Sequence, residues 1–199
     1  MVKSTALVSY FTAICAASVV PDPIVHLDHG ALQGKFSEKY NITFFRRIPF
    51  AAPPIGNGRF NVPQQVQPWQ GLYNTDQDFP MCPQGRDLGS EDCLYLGLYS
   101  RPWVPGSALR PVVVFIHGGG WTRGGGGFSI PPPGYPTLNV SNLNDFVLVY
   151  PNHRLNVFGL LPGKKIKNSD SAVLNPTLLD QEYALKWVQQ HIAKCVSFL

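Results

Sequence analysis

Several large functional classes leave no mark on this chain. The glycines after residue 117 are not followed by the Gly-Lys-Ser/Thr of a phosphate-binding loop, and no G-x-G-x-x-G opens a recognisable helix, so a nucleotide cradle is excluded. Charged residues make up only 14% of the sequence, and the formal net charge of +4 is dispersed rather than gathered in a stripe, which argues against a nucleic-acid partner. The one basic cluster, Gly163-Lys-Lys-Ile-Lys-Asn168, sits among Pro, Gly, Asn and Ser and reads as a solvated loop. No integral membrane segment is expected, because the apolar stretch over residues 5–14 is short and broken by Ser9, Tyr10 and Thr12. Cysteines number four, and no histidine lies at ligand spacing from the pair Cys82 and Cys93, so neither a metal site nor a cofactor is expected. Repeats, heptads and internal linkers are lacking as well.

What remains is a globular composition, 44% hydrophobic and 12% aromatic over 199 residues, enough for one medium domain with a sizeable core. Residues 1–18 have a lysine near the start, an apolar segment, and then Cys15-Ala-Ala-Ser18, the small-residue pattern of a secretory signal peptide cleaved after Ala17 or Ser18. A secreted, extracellular location is therefore expected. Two glycosylation sequons, Asn41-Ile-Thr43 and Asn139-Val-Ser141, agree with export. Cys15 would leave with the leader, and the mature chain would keep Cys82, Cys93 and Cys195. Cys82 and Cys93 flank a polar, glycine-containing loop, where a bridge in an oxidising compartment would contribute roughly 2–3 kcal/mol; Cys195 is left over.

The most telling stretch is Phe115-Ile-His-Gly-Gly-Gly-Trp121, which follows the apolar run Pro111-Val-Val-Val. Consecutive glycines directly after a strand leave backbone N–H groups bare, and bare N–H groups bind anions. In acyl transfer the anion is the oxygen of a tetrahedral intermediate, and one such donor is worth on the order of 3 kcal/mol in the transition state. Glycine runs also occur in plain turns, and a second run stands at 124–127, so the surroundings decide.

Residues 24–27 and 31–36 read as a short hairpin, and 44–49 as a further extended segment ended by Pro- and Gly-rich sequence. A polar, Pro- and Gln-rich traverse leads to Cys82. Strand candidates resume at 94–99, 112–116 and 146–150, the last two apolar enough to be buried on both faces. A long helix follows Asn175-Pro176, with Thr177 as cap and Asp180 near the positive end of the dipole, and runs to about Lys194. Its apolar face comprises Leu178, Leu185, Val188 and Ile192, flanked by Tyr183 and Trp187. Strand, glycine loop, strand and long helix form the rhythm of an α/β sheet.

Five separate stretches then bring in a resemblance. Arg47-Ile-Pro-Phe-Ala-Ala-Pro-Pro-Ile-Gly56 with Arg59-Phe60, Ser90-Glu-Asp-Cys-Leu-Tyr-Leu96, His117-Gly-Gly-Gly120, Asn152-His-Arg-Leu-Asn-Val-Phe-Gly159, and Leu179-Asp-Gln181 with Ala184-Leu-Lys-Trp-Val188 occur in the order found in type-B carboxylesterases. That family includes cholinesterases and secreted fungal lipases, and a fungal-type secreted member is expected. The resemblance implies an α/β class, the amino-terminal portion of an α/β-hydrolase fold with a mixed sheet and few helices, left incomplete. It implies a partial hydrolase domain over 19–194. Gly119 and Gly120 would donate N–H groups to an oxyanion hole, Cys82 and Cys93 would form the family's first disulfide, Arg154 and Asp180 a buried structural ion pair, and Trp121 would line the substrate pocket. His117 shapes the turn, since the family's catalytic base lies far downstream.

The departures matter as much. The family's nucleophile stands in a Gly-x-Ser-x-Gly elbow, and no such sequence occurs in these 199 residues, nor do the downstream acid and histidine of the triad. A serine esterase or lipase that is inactive as this chain alone is the expectation. Its substrate in the full-length enzyme would be a small-molecule or lipid ester. Residues 195–199, Cys-Val-Ser-Phe-Leu, replace the family's Phe-Gly-Gly-Asp-Pro and are expected to be an aberrant tail, from an unspliced intron or an early stop in the gene assignment. Without the nucleophile strand, the edge of strand 112–116 would stand open and invite aggregation. The alternatives are a non-catalytic, cholinesterase-like binding protein and a truncated product without function. A cholinesterase itself is disfavoured, because the loop ahead of Glu91 holds no aromatic to bind a quaternary ammonium.

Overall fold

The computed structural model describes residues 22–77, 80–85, 88–102, 108–126, 138 and 146–196. The signal peptide with Cys15, the sequon at Asn139 and residues 197–199 lie outside them. Among the described residues eight strands form two sheets: β1 (Ile24–Leu27), β2 (Gly30–Gln33) and β5 (Leu72–Asn74) make a small one, in the order β1-β2-β5. β3 (Lys35–Ser37), β4 (Ile42–Pro49), β6 (Tyr95–Ser100), β7 (Val112–Val114) and β8 (Val147–Pro151) make the larger, in the order β3-β4-β6-β8-β7. The larger sheet is mixed: the pairs β3–β4, β4–β6 and β6–β8 are antiparallel, whereas β7 runs parallel to β8. This agrees with the α/β expectation.

The hairpin is real but shorter than the sequence suggested. β1 pairs with β2, and the chain then leaves for the other sheet at Gly34, where a Cβ would lie 2.7 Å from the Phe44 carbonyl oxygen and the Phe45 ring. In β4 the register shifts between Phe45 and Ile48, and the N–H groups of Arg46 and Arg47 both donate to the Thr75 carbonyl instead. This bulge ties the two sheets together.

Strand β8 is buried along its whole length and alternates strictly. Val147 and Val149 face one core with Leu96, Leu98, Phe45 and Trp187, while Leu148 and Tyr150 face a second core with Ile42, Tyr99 and Leu138. β7 does not share that burial, contrary to the reading from its apolar run. It takes the sheet edge, leaving Val113 and Phe115 each 46% exposed. No described strand pairs with its outer side.

Three helices follow, α1 (Asn156–Gly159), α2 (Lys164–Lys167) and α3 (Pro176–Val196). The lysine cluster, expected as loop, forms the single turn α2 and is solvent-exposed. α3 begins at Pro176, a residue suited to the first helical position, and the Asn175 carbonyl accepts from Leu178 N. Thr177 is therefore not the cap. It lies inside the helix, buried, with its Oγ1 bonded to His153 Nδ1 at 2.9 Å. The buried face of α3 is Thr177, Asp180, Ala184, Trp187, Val188, His191 and Cys195, whereas Leu178 and Leu185 remain 47% and 45% exposed. Asp180 sets this rotation through its partner Arg154, described below.

Candidate functional site

The glycine turn is built at the end of β7. Phe115 N still donates to Val149 O at 2.8 Å, after which the chain leaves the sheet. The Gly119 carbonyl then accepts from Thr122 N, Thr122 Oγ1 and Arg123 N, closing a tight turn. Gly119 and Gly120 have φ of +128° and +63°. A Cβ on Gly119 would lie 1.8 Å from the Arg123 carbonyl oxygen, whereas one on Gly120 would meet nothing within 4 Å. Glycine is thus required sterically at 119 and only conformationally at 120. Both are exposed, and no group among the described residues accepts from their N–H groups.

Trp121 continues the turn at φ +64°, a conformation costing a non-glycine residue on the order of 1–2 kcal/mol. Asn156 holds it there. The Asn156 N–H donates to the Trp121 carbonyl at 2.8 Å, and its side-chain amide donates to the carbonyls of Thr122 and Pro83 at 2.9 and 3.2 Å. The Trp121 ring, 45% exposed, tilts over His153 with centroids 5.8 Å apart.

On the far limb of the turn, Gln84 pairs with Gly124 twice, accepting from its N–H and donating to its carbonyl, both at 2.8 Å. Asn152 accepts from Gly126 N at 2.7 Å and donates to the carbonyls of Pro80 and Cys93. Gln84 lies inside the loop closed by the Cys82–Cys93 disulfide, so the bridge, which the structure contains, clamps the glycine turn as well as its own loop. Cys195 is a free thiol, fully buried in the main core, and burial pushes it up to about 12.

His117 stacks flat on His153, centroids 4.2 Å apart and planes 6° from parallel. Its Nδ1–H donates to the Gly118 carbonyl at 2.9 Å. Burial lowers the pKa of both rings, and for His117 the neighbouring His153 lowers it further. The stacked pair is neutral at pH 7 and supports the turn from below, in keeping with a shaping role for His117.

Behind the site stands the ion pair. Arg154 and Asp180, 2% and 0% exposed, are joined by three hydrogen bonds: Nε to Oδ2 at 2.8 Å, Nη2 to Oδ1 at 2.7 Å and Arg154 N to Oδ2 at 2.9 Å. Nη1 donates to the carbonyls of Arg59 and Asn61, satisfying the rest of the guanidinium. Burial pushes the Asp180 carboxyl up from its ordinary value, and Arg154 opposes that rise. The other motif residues pair likewise, Arg59 bidentately with Glu91, and Arg47 with the Tyr95 hydroxyl, which donates to Asp92. Asn41, the first sequon, lies exposed at the β3–β4 turn with φ +50°.

Sequence reasoning missed Gln84, Asn152, Asn156 and His153 as positioning residues. Asn152, His153 and Asn156 lie within a motif whose residue types point to a role only at Arg154, and Gln84 carries no local signal at all.

A parallel edge strand running directly into a glycine turn, on a mixed sheet backed by a long helix, is the amino-terminal architecture of an α/β-hydrolase. Solved structures share it. EstA of Aspergillus niger superposes with a TM-score of 0.76 at 28% identity, over 89% of this chain and 34% of that one. The carboxylesterase EST55 of Geobacillus stearothermophilus gives 0.74 at 33% identity, over 88% and 35%. By sequence, residues 21–195 match the Carboxylesterase family. Juvenile hormone esterase of Tribolium castaneum is 37% identical, over 96% of this chain and 33% of that protein, and liver carboxylesterase B-1 of Rattus norvegicus is 32% identical, over 96% and 36%. The chain belongs to the type-B carboxylesterase family and spans about a third of the length of these relatives. Among the described residues no helix is long and apolar enough to cross a membrane.

Proposed function

We propose that these residues are the oxyanion-hole portion of a serine carboxylic-ester hydrolase, with Gly119 N–H and Gly120 N–H as the donors to the tetrahedral oxyanion. The observation that carries this reading is the pinned glycine turn, with two exposed N–H groups that no described residue engages. Donors aimed by a rigid frame before the charge develops need no reorganisation in the transition state. In the intact hydrolase a serine activated by histidine attacks the ester carbonyl, the alcohol departs, and water then releases the acid. Trp121, exposed at the rim of the turn, lines the acyl or alcohol pocket, and an apolar ring there favours ester substrates with an apolar group.

The 199-residue chain by itself does not turn over, because it contains no Gly-x-Ser-x-Gly. Export with cleavage near residue 18 and glycosylation at Asn41 and Asn139 belong to the same proposal, supported by the exposed position of Asn41 and by the disulfide. A fungal source rests on the resemblance to secreted fungal lipases alone.

The test combines a p-nitrophenyl ester assay on the purified chain with a fluorophosphonate serine label, and sequencing of the transcript. The expected result is no turnover, no label, and a reading frame encoding an esterase elbow in the full-length transcript. Stoichiometric serine labelling of the 199 residues overturns the inactivity. A transcript encoding the rest of the fold without the serine favours a binding protein instead.

A further inference from the structure

Elsewhere in the fold, between the β1–β2 turn and the C-terminal half of α3, lies a cleft of about 250 Å³. Three of its lining side chains, His29, Trp187 and His191, are 8%, 4% and 6% exposed. Each holds a buried nitrogen with no partner among the described residues: His29 Nε2, Trp187 Nε1 and His191 Nδ1. The rings are close, with centroids 5.5 Å apart between the histidines and 5.2 Å between Trp187 and His191. A buried donor or acceptor left unpaired carries its full desolvation penalty, so three around one cleft call for an occupant.

The lining decides its chemistry. Trp187 Nε1–H can only donate, and each neutral imidazole can place its proton on its unpartnered nitrogen. Lys186 also lines the cleft and no carboxylate does; the nearby Asp28 is held by Lys194 and Glu182 by Lys186. A cation would find no free counter-charge here, whereas an anion finds the Trp187 donor and Lys186, and Gln65, Gln190 and Tyr183 can each turn a donor toward it. Phe50 and Val66 supply apolar wall, and the volume falls just below the ~300 Å³ at which small-molecule pockets usually begin, which restricts the occupant to a compact one. We propose that this cleft binds a small monocarboxylate with a compact apolar body, its oxygens taking the N–H groups of Trp187 and of the two imidazoles. The site is independent of the glycine turn and does not rest on the hydrolase reading.

Titration of the full chain with sodium benzoate, followed by NMR of the indole N–H and histidine ring signals, tests it. The expected result is a saturable shift of the Trp187 indole N–H together with the rings of His29 and His191, and no such shift with benzylamine. Trp187→Phe keeps most of the ring and removes the donor, and should weaken benzoate about tenfold, the usual worth of a hydrogen bond to a charged group. Lys186→Gln, at an exposed position, should weaken it about two- to threefold without altering the fold. An unmoved indole signal, an equal response to benzylamine, or Zn²⁺ broadening both histidines while benzoate does nothing, overturns the proposal. Should Trp187→Phe fail to fold, the wild-type contrast between benzoate and benzylamine decides alone.

Discussion

Removing the Asp180 carboxylate is the most severe perturbation the fold offers outside its apolar core. Asp180→Ala leaves the Arg154 guanidinium, 2% exposed, without two of its four hydrogen bonds and without a counter-charge, and the Arg154 backbone N–H loses its acceptor as well. Breaking a buried pair from one side costs about 3–5 kcal/mol. Domains of this kind have only about 5–15 kcal/mol in total, so the variant should lose about a fifth or more of its stability, or roughly 6–20 °C in Tm. The control is the paired replacement Arg154→Met with Asp180→Leu, which removes both charges. It should recover most of the loss but stop about 1–2 kcal/mol short, because the carbonyls of Arg59 and Asn61 then lack their donor. Urea titration of the three proteins at one pH reads both quantities. A single variant within about 1 kcal/mol of the parent, or a paired variant no more stable than the single one, would refute the buried-pair reasoning.

Two further outcomes follow from the same structure. Burial lowers the pKa of His29, His117, His153 and His191 below the ordinary 6.5, so the folded state binds fewer protons than the unfolded chain. Stability is full above about pH 6.5 and falls as the pH drops through the lowered folded values, by at most about 1.4 kcal/mol per pH unit for each histidine; a urea midpoint flat from about pH 7 to pH 5 contradicts this assignment. Val113→Lys places a charge on the exposed edge of β7 and should raise the monomer fraction in size-exclusion chromatography. A parent chain that is already a monodisperse monomer with a cooperative melt would remove the premise.

The strands with strong apolar runs were legible because burial on both faces needs no periodicity, and β6 and β8 lie where those runs lie. β5 was not, since Leu72 and Asn74 are exposed and its hydrogen bonds come from β2, distant in sequence. The apolar face chosen for α3 went wrong at Leu178 and Leu185 because the buried Arg154–Asp180 pair and the Thr177–His153 bond rotate a polar stripe inward. Residue type alone gives no hint of such a stripe until the partners across the fold are known. At the turn, the requirement for glycine was legible in three consecutive residues, whereas the clamp by Gln84, Asn152 and Asn156 depends on side chains that converge from two segments distant in sequence.

The most direct test of the central claim is kcat for a p-nitrophenyl ester in the hydrolase that carries residues 21–195 joined to the remaining two thirds of the family fold, compared among the parent, Gly119→Ala and Gly120→Ala. Gly119→Ala must displace the Arg123 carbonyl and rebuild the turn, so a loss of about 10²–10³ in kcat is expected, the measure of one oxyanion donor. Gly120→Ala meets no atom and costs only left-handed backbone strain of about 1 kcal/mol, so a loss of about tenfold or less is expected. Equal kcat in all three proteins would contradict the assignment of this turn to the oxyanion.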